Sequence, residues 1–357
     1  MDLDAFDLDA FLAAEATQPY DPYPPAYSGT ADYTAHLPTA YEPPFVETVW
    51  ESFDGTPLAA VFGFHHNAAP RPAVIILPPW LQRKTTPALV AMALCLHANG
   101  YHVASLDQRG TGISRRLSER PFTMGWKEAE DALALAASLR QRPNVSTVGL
   151  LGFSFGAAIA TTALGLDAQR QVSCALGFSM WAAQDVGYRR GIARQAWLRY
   201  VKRLPDEALG DAASQYGTTL AELYQYARHY CFLPQISVPW LVVSALDDHE
   251  SPPPHSIALA ARAQAQPNTR VWLLHGGGHA FFHDLWWQEG LALRYLRACL
   301  GAGDDRLGTT PRLARKAYPD LYQPPPAGAS SFAPPLRFTV EEADLLLPLP
   351  GDAAPPA

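Results

Sequence analysis

The sequence has little of what marks several protein classes. Its 357 residues include only four cysteines, Cys95, Cys174, Cys231 and Cys299, far apart and without a CxxC pair. That spacing suits neither a disulfide scaffold nor a structural zinc site, and mostly apolar neighbours mark the thiols as reduced core residues. Basic charge is not in excess: Lys plus Arg is 27 against 34 Asp plus Glu, a net charge of −7. That balance argues against nucleic acid or an anionic membrane as the main partner. No apolar run approaches the roughly 18 residues of a membrane span. The opening Met1-Asp2-Leu3-Asp4 is acidic and lacks the basic and apolar regions of a signal peptide. The expectation is a cytoplasmic protein with no membrane span.

Hydrophobic residues make up 48% of the chain, enough for a large core. Proline marks where that core begins and ends, because 18 of the 33 prolines fall in residues 1–44 and 302–357. Such segments cannot propagate a helix or a central strand. Residues 1–44 are therefore read as a Pro/Tyr-rich arm and 302–357 as a Pro-rich tail. The arm opens with a tandem repeat, Asp2-Leu3-Asp4-Ala5-Phe6 and Asp7-Leu8-Asp9-Ala10-Phe11, whose Leu8, Phe11 and Leu12 share one helical face. Its simplest role is a short helix docked on its own globule. The tail carries a second apolar patch, Leu345-Leu346-Leu347. These flanks are the only features that point to a protein partner, a homodimer through the arm or tail included.

Between the flanks, strand and helix patterns alternate. Phe45–Phe53 and Leu58–Phe64 straddle Asp54-Gly55 as a hairpin. Buried strands are expected at Ala73–Leu77, His102–Leu106, Val148–Gly152, Cys174–Phe178, Trp240–Ala245 and Val271–His275, with helices between them. The pattern predicts an α/β fold: a mostly parallel sheet with helices on both faces.

The strongest chemical signal is Gly152-Phe153-Ser154-Phe155-Gly156, preceded by an apolar strand and followed by a small-residue helix. A strand turning sharply into a helix forces its serine into strained geometry and exposes the hydroxyl at the strand's C-terminal edge. Small residues two before and two after the serine relieve the crowding. A serine hydroxyl needs a base, and the base needs an orienting carboxylate. Gly276-Gly277-Gly278-His279 follows a strand and makes His279 the best base. His275 and His283 flank it at four-residue intervals. The intervening glycines break the continuous helix that a three-histidine metal face requires, so no metal and no other cofactor is expected. Two carboxylates, Asp247 and Asp248, compete just past strand Trp240–Ala245. The order Ser154, aspartate, His279 is the one read from strand-end positions alone.

From about Phe45 to Leu300 the chain resembles the α/β-hydrolase superfamily. The resemblance rests on the Gly-x-Ser-x-Gly turn, on the triad order, and on Asp107-Gln108-Arg109-Gly110-Thr111-Gly112-Ile113-Ser114, which is similar to a loop of many members. It implies an α/β-hydrolase core over 45–179 and 234–301 with a helical lid inserted at 180–233. It also implies that Asp107 and Arg109 are structural. Members commonly place the acid three residues after a small strand-end residue; Ser244 in that place points to Asp247, with Asp248 the second choice. Where members usually carry His-Gly, this chain has Pro78-Pro79-Trp80-Leu81. Prolines have no N–H, so Trp80 becomes the first possible oxyanion donor, partnered by the N–H of Phe155. Trp80, Leu81, Phe153, Trp181 and Tyr188 are the expected pocket residues. Arg83 and Lys84 are either solvated or set to meet an anionic substrate group.

The function implied is a serine hydrolase acting on an ester, thioester or related acyl bond of a small-molecule substrate, medium-sized and partly apolar. The same residues also serve acyl transfer and carbon–carbon bond cleavage in this superfamily. A non-catalytic binding or scaffolding protein is the reading from another class; it would be favoured by a missing triad member, and none is missing.

Overall fold

Alternating apolar strands and helices pack as the pattern requires. The structure is a computed structural model, and it describes residues 6–17, 26–27, 38, 40–66, 69–187, 199, 201–274, 276–282, 285–301, 322–323 and 339–350. Eight strands form the main sheet: β1 Phe45–Glu51, β2 Pro57–Gly63, β3 Arg71–Leu77, β4 His102–Leu106, β5 Val145–Phe153, β6 Cys174–Phe178, β7 Trp240–Ala245 and β8 Thr269–Leu274. Their order is β1-β2-β4-β3-β5-β6-β7-β8. The β1–β2 hairpin and its junction with β4 are antiparallel, and every later pairing is parallel. The fold is thus the expected mostly parallel α/β sheet.

Side chains alternate across each strand, and two apolar layers result. Ala73, Ile75 and Leu77 of β3 face the layer of α4 (Trp126–Arg140), α5 (Phe155–Leu166) and α9 (Pro253–Ala263). Val74 and Ile76 face the opposite layer, with α2 (Pro87–Ala98) and α10 (Leu285–Leu300). The remaining helices are α1 (Leu8–Thr17), α3 (Ser114–Leu117), α6 (Gln184–Gly187), α7 (Pro205–Gln215), α8 (Leu220–Tyr226) and α11 (Val340–Leu346). Among the described residues, no helix is long and apolar enough to cross a membrane. All four cysteines are buried.

Parts of both flanks dock on their own chain. Leu8 and Leu12 of α1 are buried in the α2/α10 layer, and Phe6 and Phe11 meet the Tyr295 ring edge-on at 5.8 and 5.5 Å. Arg270 fixes α1 with a two-pronged bond to Asp9 at 2.6 and 2.7 Å. On the opposite layer Arg262 of α9 pairs with Asp344 at 3.0 Å, and the Tyr230 hydroxyl donates to the Pro350 carbonyl at 2.5 Å.

The loop after β4 is structural, as its glycines and charges implied. Asp107 accepts the N–H groups of Lys84 and Ile113, both at 2.7 Å. Arg109 is buried; it bonds Asp131 through two nitrogens, Asp54 at 3.1 Å and the Tyr216 hydroxyl at 2.7 Å. A guanidinium out of water needs its donors matched in this way, because an unpaired buried charge costs several kcal/mol. Tyr216 belongs to the segment inserted between β6 and β7, so this ion cluster also clamps that segment to the core.

A second buried acid has no such partner. Glu289 on α10 is enclosed, its Oε2 has no hydrogen-bond partner among the described residues, and burial pushes its carboxyl up to about 8 despite a bond with the Cys95 thiol. A carboxyl raised above its unfolded value stabilises the fold fully below the unfolded value, and that stability is lost as pH rises through about 8. Glu289→Gln cannot ionise. Its melting temperature should match wild type below pH 4.5 and exceed it by several degrees at pH 9, the gap growing by at most ~1.4 kcal/mol per pH unit. Parallel Tm curves for the two proteins between pH 4 and 9.5 would contradict this account.

Candidate active site

Strand β5 runs directly into helix α5, leaving Ser154 alone as the turn at φ 54°, ψ −116°. A non-glycine residue there costs about 1–3 kcal/mol and persists only where its surroundings enforce it. Three contacts do so. The Ser154 N–H donates to the Phe178 carbonyl at 2.7 Å. A Cβ on Gly156 would lie 2.0 Å from the Leu77 carbonyl oxygen, and one on Gly152 would lie 2.5 Å from the Ala157 backbone. No other residue fits at 152 or 156 without separating α5 from β3 and β5. The 12-residue α5 then points its N-terminus, with the Phe155 N–H, at the same sheet edge.

On one side of this turn lies the loop after β3. Gln82 N–H donates to the Pro79 carbonyl at 3.2 Å, closing a turn with Leu81 at φ 60°. Gln108 Nε2 donates to the Pro78 carbonyl at 2.7 Å and holds the loop from below. Sequence reading gave Gln108 no role, because an amide between the charged residues of its motif carries no signal of its own. Trp80 is half-buried and packs at the junction of the core with the apolar cluster of the inserted segment, which includes Leu209, Leu223 and Tyr224. Lys84, expected to be solvated or to face substrate, does neither. It is 1% exposed and its ammonium pairs with Glu47 of β1 at 2.8 Å. Arg83 is exposed.

On the other side lie the loops after β7 and β8. His279 Nδ1 is 3.0 Å from both carboxylate oxygens of Asp248. Asp247 instead accepts the N–H groups of Gly278 at 2.9 Å and Gly277 at 3.3 Å. The expectation that Asp247 orients the imidazole is therefore corrected to Asp248. The reason is one step of register. Strand β7 continues through Ala245, paired with Leu274, and Asp248 N–H turns back to the Ala245 carbonyl at 3.2 Å. The small strand-end residue is Ala245 rather than Ser244, and three residues beyond it is Asp248.

Burial alone would raise the Asp248 carboxyl, which is fully enclosed. Hydrogen bonds from His279, the Ser251 N–H and the Ser179 hydroxyl outweigh it and hold the group below its ordinary value. It is an acceptor-only carboxylate, so Nδ1 of His279 must donate to it and Nε2 is left facing outward. There the exposed Glu250 carboxylate approaches Nε2 at 3.7 Å.

The loop that carries His279 is itself strained. Ala280 and Phe281 hold φ 52° and 58°. Ala280 is pinned at both ends: its N–H donates to the Ser179 hydroxyl at 2.8 Å and its carbonyl accepts from Gln288 Nε2. Eight non-glycine residues among those described have positive φ, and five of them, Leu81, Ser154, Ser179, Ala280 and Phe281, lie in the loops at this edge.

The expected pocket residues divide. Trp181 is half-buried, its ring 4.7 Å from that of His255. Leu81 is half-buried in the turn after β3. Phe153 is corrected to a core residue. It alternates onto the α2/α10 layer, fully buried between the rings of Phe178 at 5.5 Å and Phe282 at 5.8 Å. Tyr188, His275 and His283 lie outside the described residues.

The comparisons agree with this architecture. The sequence matches the profile of the Alpha/beta hydrolase family over residues 74–293. No curated protein sequence matches it. Among solved structures it is similar to a 2,6-dihydroxy-pseudo-oxynicotine hydrolase, with TM-score 0.55, 18% identity, and 75% of this chain and 71% of that chain covered. It is also similar to the Pyrococcus furiosus esterase Pf2001, with TM-score 0.54, 16% identity and coverage of 78% and 99%. A third, Est1E of Butyrivibrio proteoclasticus with ferulic acid bound, gives TM-score 0.54, 16% identity and coverage of 71% and 98%. Identities this low speak to fold alone. With the family profile spanning well over half of the chain, the protein belongs to the alpha/beta hydrolase family.

Proposed function

We propose that this chain is a serine hydrolase that cleaves an ester, thioester or related acyl bond of a medium-sized, partly apolar substrate through an acyl-enzyme. The observation that carries the reading is Ser154 at φ 54°, ψ −116° on the sheet edge to which Asp248 fixes the His279 imidazole. In this reading the Ser154 Oγ attacks the acyl carbon and its proton passes to Nε2 of His279. Asp248 keeps the proton on Nδ1 and stabilises the imidazolium that forms. The N–H groups of Phe155 and Trp80 receive the developing oxyanion, the two prolines before Trp80 having none to give. The imidazolium then protonates the leaving group, and water repeats the sequence to release the acid and free serine.

Charge around the site favours a neutral or cationic substrate. The exposed Glu250 carboxylate stands beside Nε2, while Lys84 is already neutralised by Glu47. The segment between β6 and β7, which carries Trp181, acts as a lid, and it packs against Trp80 to support an apolar acyl group.

Three substitutions test the assignment. Ser154→Ala should lower kcat for p-nitrophenyl esters by several decades while the protein keeps its thermal transition. Activity near wild type would remove Ser154 as nucleophile. Asp248→Asn should cost on the order of 10⁴ in kcat, since an amide fixes the wrong imidazole tautomer. Asp247→Asn should cost roughly tenfold or less, through looser placement of Gly277 and Gly278, because it touches the base loop and not the imidazole. Equal losses at 247 and 248 would contradict the assignment of the acid.

A further inference from the structure

Ser179 is the residue after the last of β6, and no motif singles it out. It is fully buried and holds φ 55°. Every polar group it has is used at the site. Its N–H donates to the Val243 carbonyl of β7 at 2.8 Å. Its carbonyl accepts the Ser251 hydroxyl, three residues past Asp248, at 2.9 Å. Its Oγ accepts the Ala280 N–H at 2.8 Å. An amide N–H can only donate, so Oγ is the acceptor there, and the hydroxyl dipole on Asp248 helps to hold that carboxyl low. Ser251, whose hydroxyl Ser179 receives, donates its N–H to Asp248 at 2.8 Å. Ser179 thus reaches the loop of His279 through its side chain and the loop of Asp248 through its carbonyl.

We propose that Ser179 is a positioning residue for the His279–Asp248 pair: its hydroxyl holds the loop of His279 at Ala280, its carbonyl holds the loop of Asp248 at Ser251, and together they keep the imidazole in place above the sheet edge. The tie is needed because Ala280 and Phe281, directly after His279, both have left-handed backbone that relaxes unless it is held. The hydroxyl also helps to hold the Asp248 carboxyl below its ordinary value. Without it, Asp248 would attract the Nδ1 proton more strongly and favour the imidazolium. The other charged groups facing the ring are unaffected by the change: Glu250 near Nε2, and Asp247 through the Gly277 and Gly278 N–H groups. The catalytic consequence rests on the serine hydrolase reading; the positioning of His279 does not.

Two variants of the full chain separate the hydroxyl from the backbone. Ser179→Ala deletes the hydroxyl and keeps the strained φ, whereas Ser179→Gly deletes it and relieves the strain. Two readouts are taken: the rate at which a fluorophosphonate labels Ser154 across pH, and the far-downfield proton resonance of the His279 Nδ1–H bond. Both variants should label on the order of tenfold to a hundredfold more slowly, the range seen when groups that orient a metal-bound histidine are removed. The acid limb of the labelling profile should move up by about half a pH unit, and the downfield proton should shift or broaden. Labelling restored to wild-type rate by Ser179→Gly, or a downfield proton unmoved in both variants, would overturn the proposal. If wild type is not labelled but its downfield proton moves in Ser179→Ala, the hydrolase reading fails and the positioning role stands. Ser251→Ala, which loosens Ser179 through its carbonyl only, covers the case of poor folding. It should change both readouts in the same direction, by under about tenfold in rate, and no change in either would count against the proposal.

Discussion

The site depends on one constraint: the backbone of Ser154 must stay in a conformation that serine does not choose. The sheet order makes this enforceable. Strand β5 lies between β3 and β6, so the first turn of α5 is squeezed against the Leu77 carbonyl on one side. On the other side the Ser154 N–H is caught by Phe178. Parallel strands that all end at one edge then bring every other group to the same place. The loop after β3 offers backbone donors, the loop after β7 a carboxylate, and the loop after β8 an imidazole. Strain of about 1–3 kcal/mol per residue at five positions is carried by a core in which whole strands are buried on both faces.

The dipeptide Phe178-Ser179 is where these constraints meet. Its first carbonyl fixes the serine turn, and its second residue fixes the acid and base loops. This arrangement explains why the carboxylate stays ionised although it is buried: three kinds of donor converge on Asp248, and its own position depends on them. Electrostatic cost is managed the same way elsewhere. Buried Arg109 is paired with Asp54 and Asp131, and buried Lys84 with the exposed Glu47. Glu289, lacking such a partner, is held protonated instead.

Much of this was legible in the residues, and the exceptions have physical causes. The sheet and its helices follow from apolar runs, and Ser154 and His279 from the small residues that their turns require. Both flanks carry short apolar patches: Leu8 and Leu12 dock, whereas of Leu345-Leu346-Leu347 only Leu347 packs against the core and the other two are exposed. The aspartate is off by one position because the small residue before it was counted from Ser244, although the strand runs through Ala245, whose pairing with Leu274 sets the turn. Phe153 was assigned to the pocket from its proximity in sequence to Ser154, but strand alternation turns it to the opposite face. Lys84 carries no local mark of its partner, since Glu47 is 37 residues away on the hairpin. Ser179 and Gln108 were invisible for a related reason. Each acts through hydrogen bonds to residues distant in sequence, and neither is one of the fixed positions of a spaced motif.

The central claim is that Ser154 is a nucleophile activated by its place in the fold. The most direct measurement is mass spectrometry of the intact and digested protein after treatment with a fluorophosphonate at neutral pH. The account predicts one phosphonyl adduct per chain, on the peptide that contains Ser154, formed far faster than on free serine and absent when the protein is first unfolded. An unmodified protein, or an adduct on a different residue, would contradict it.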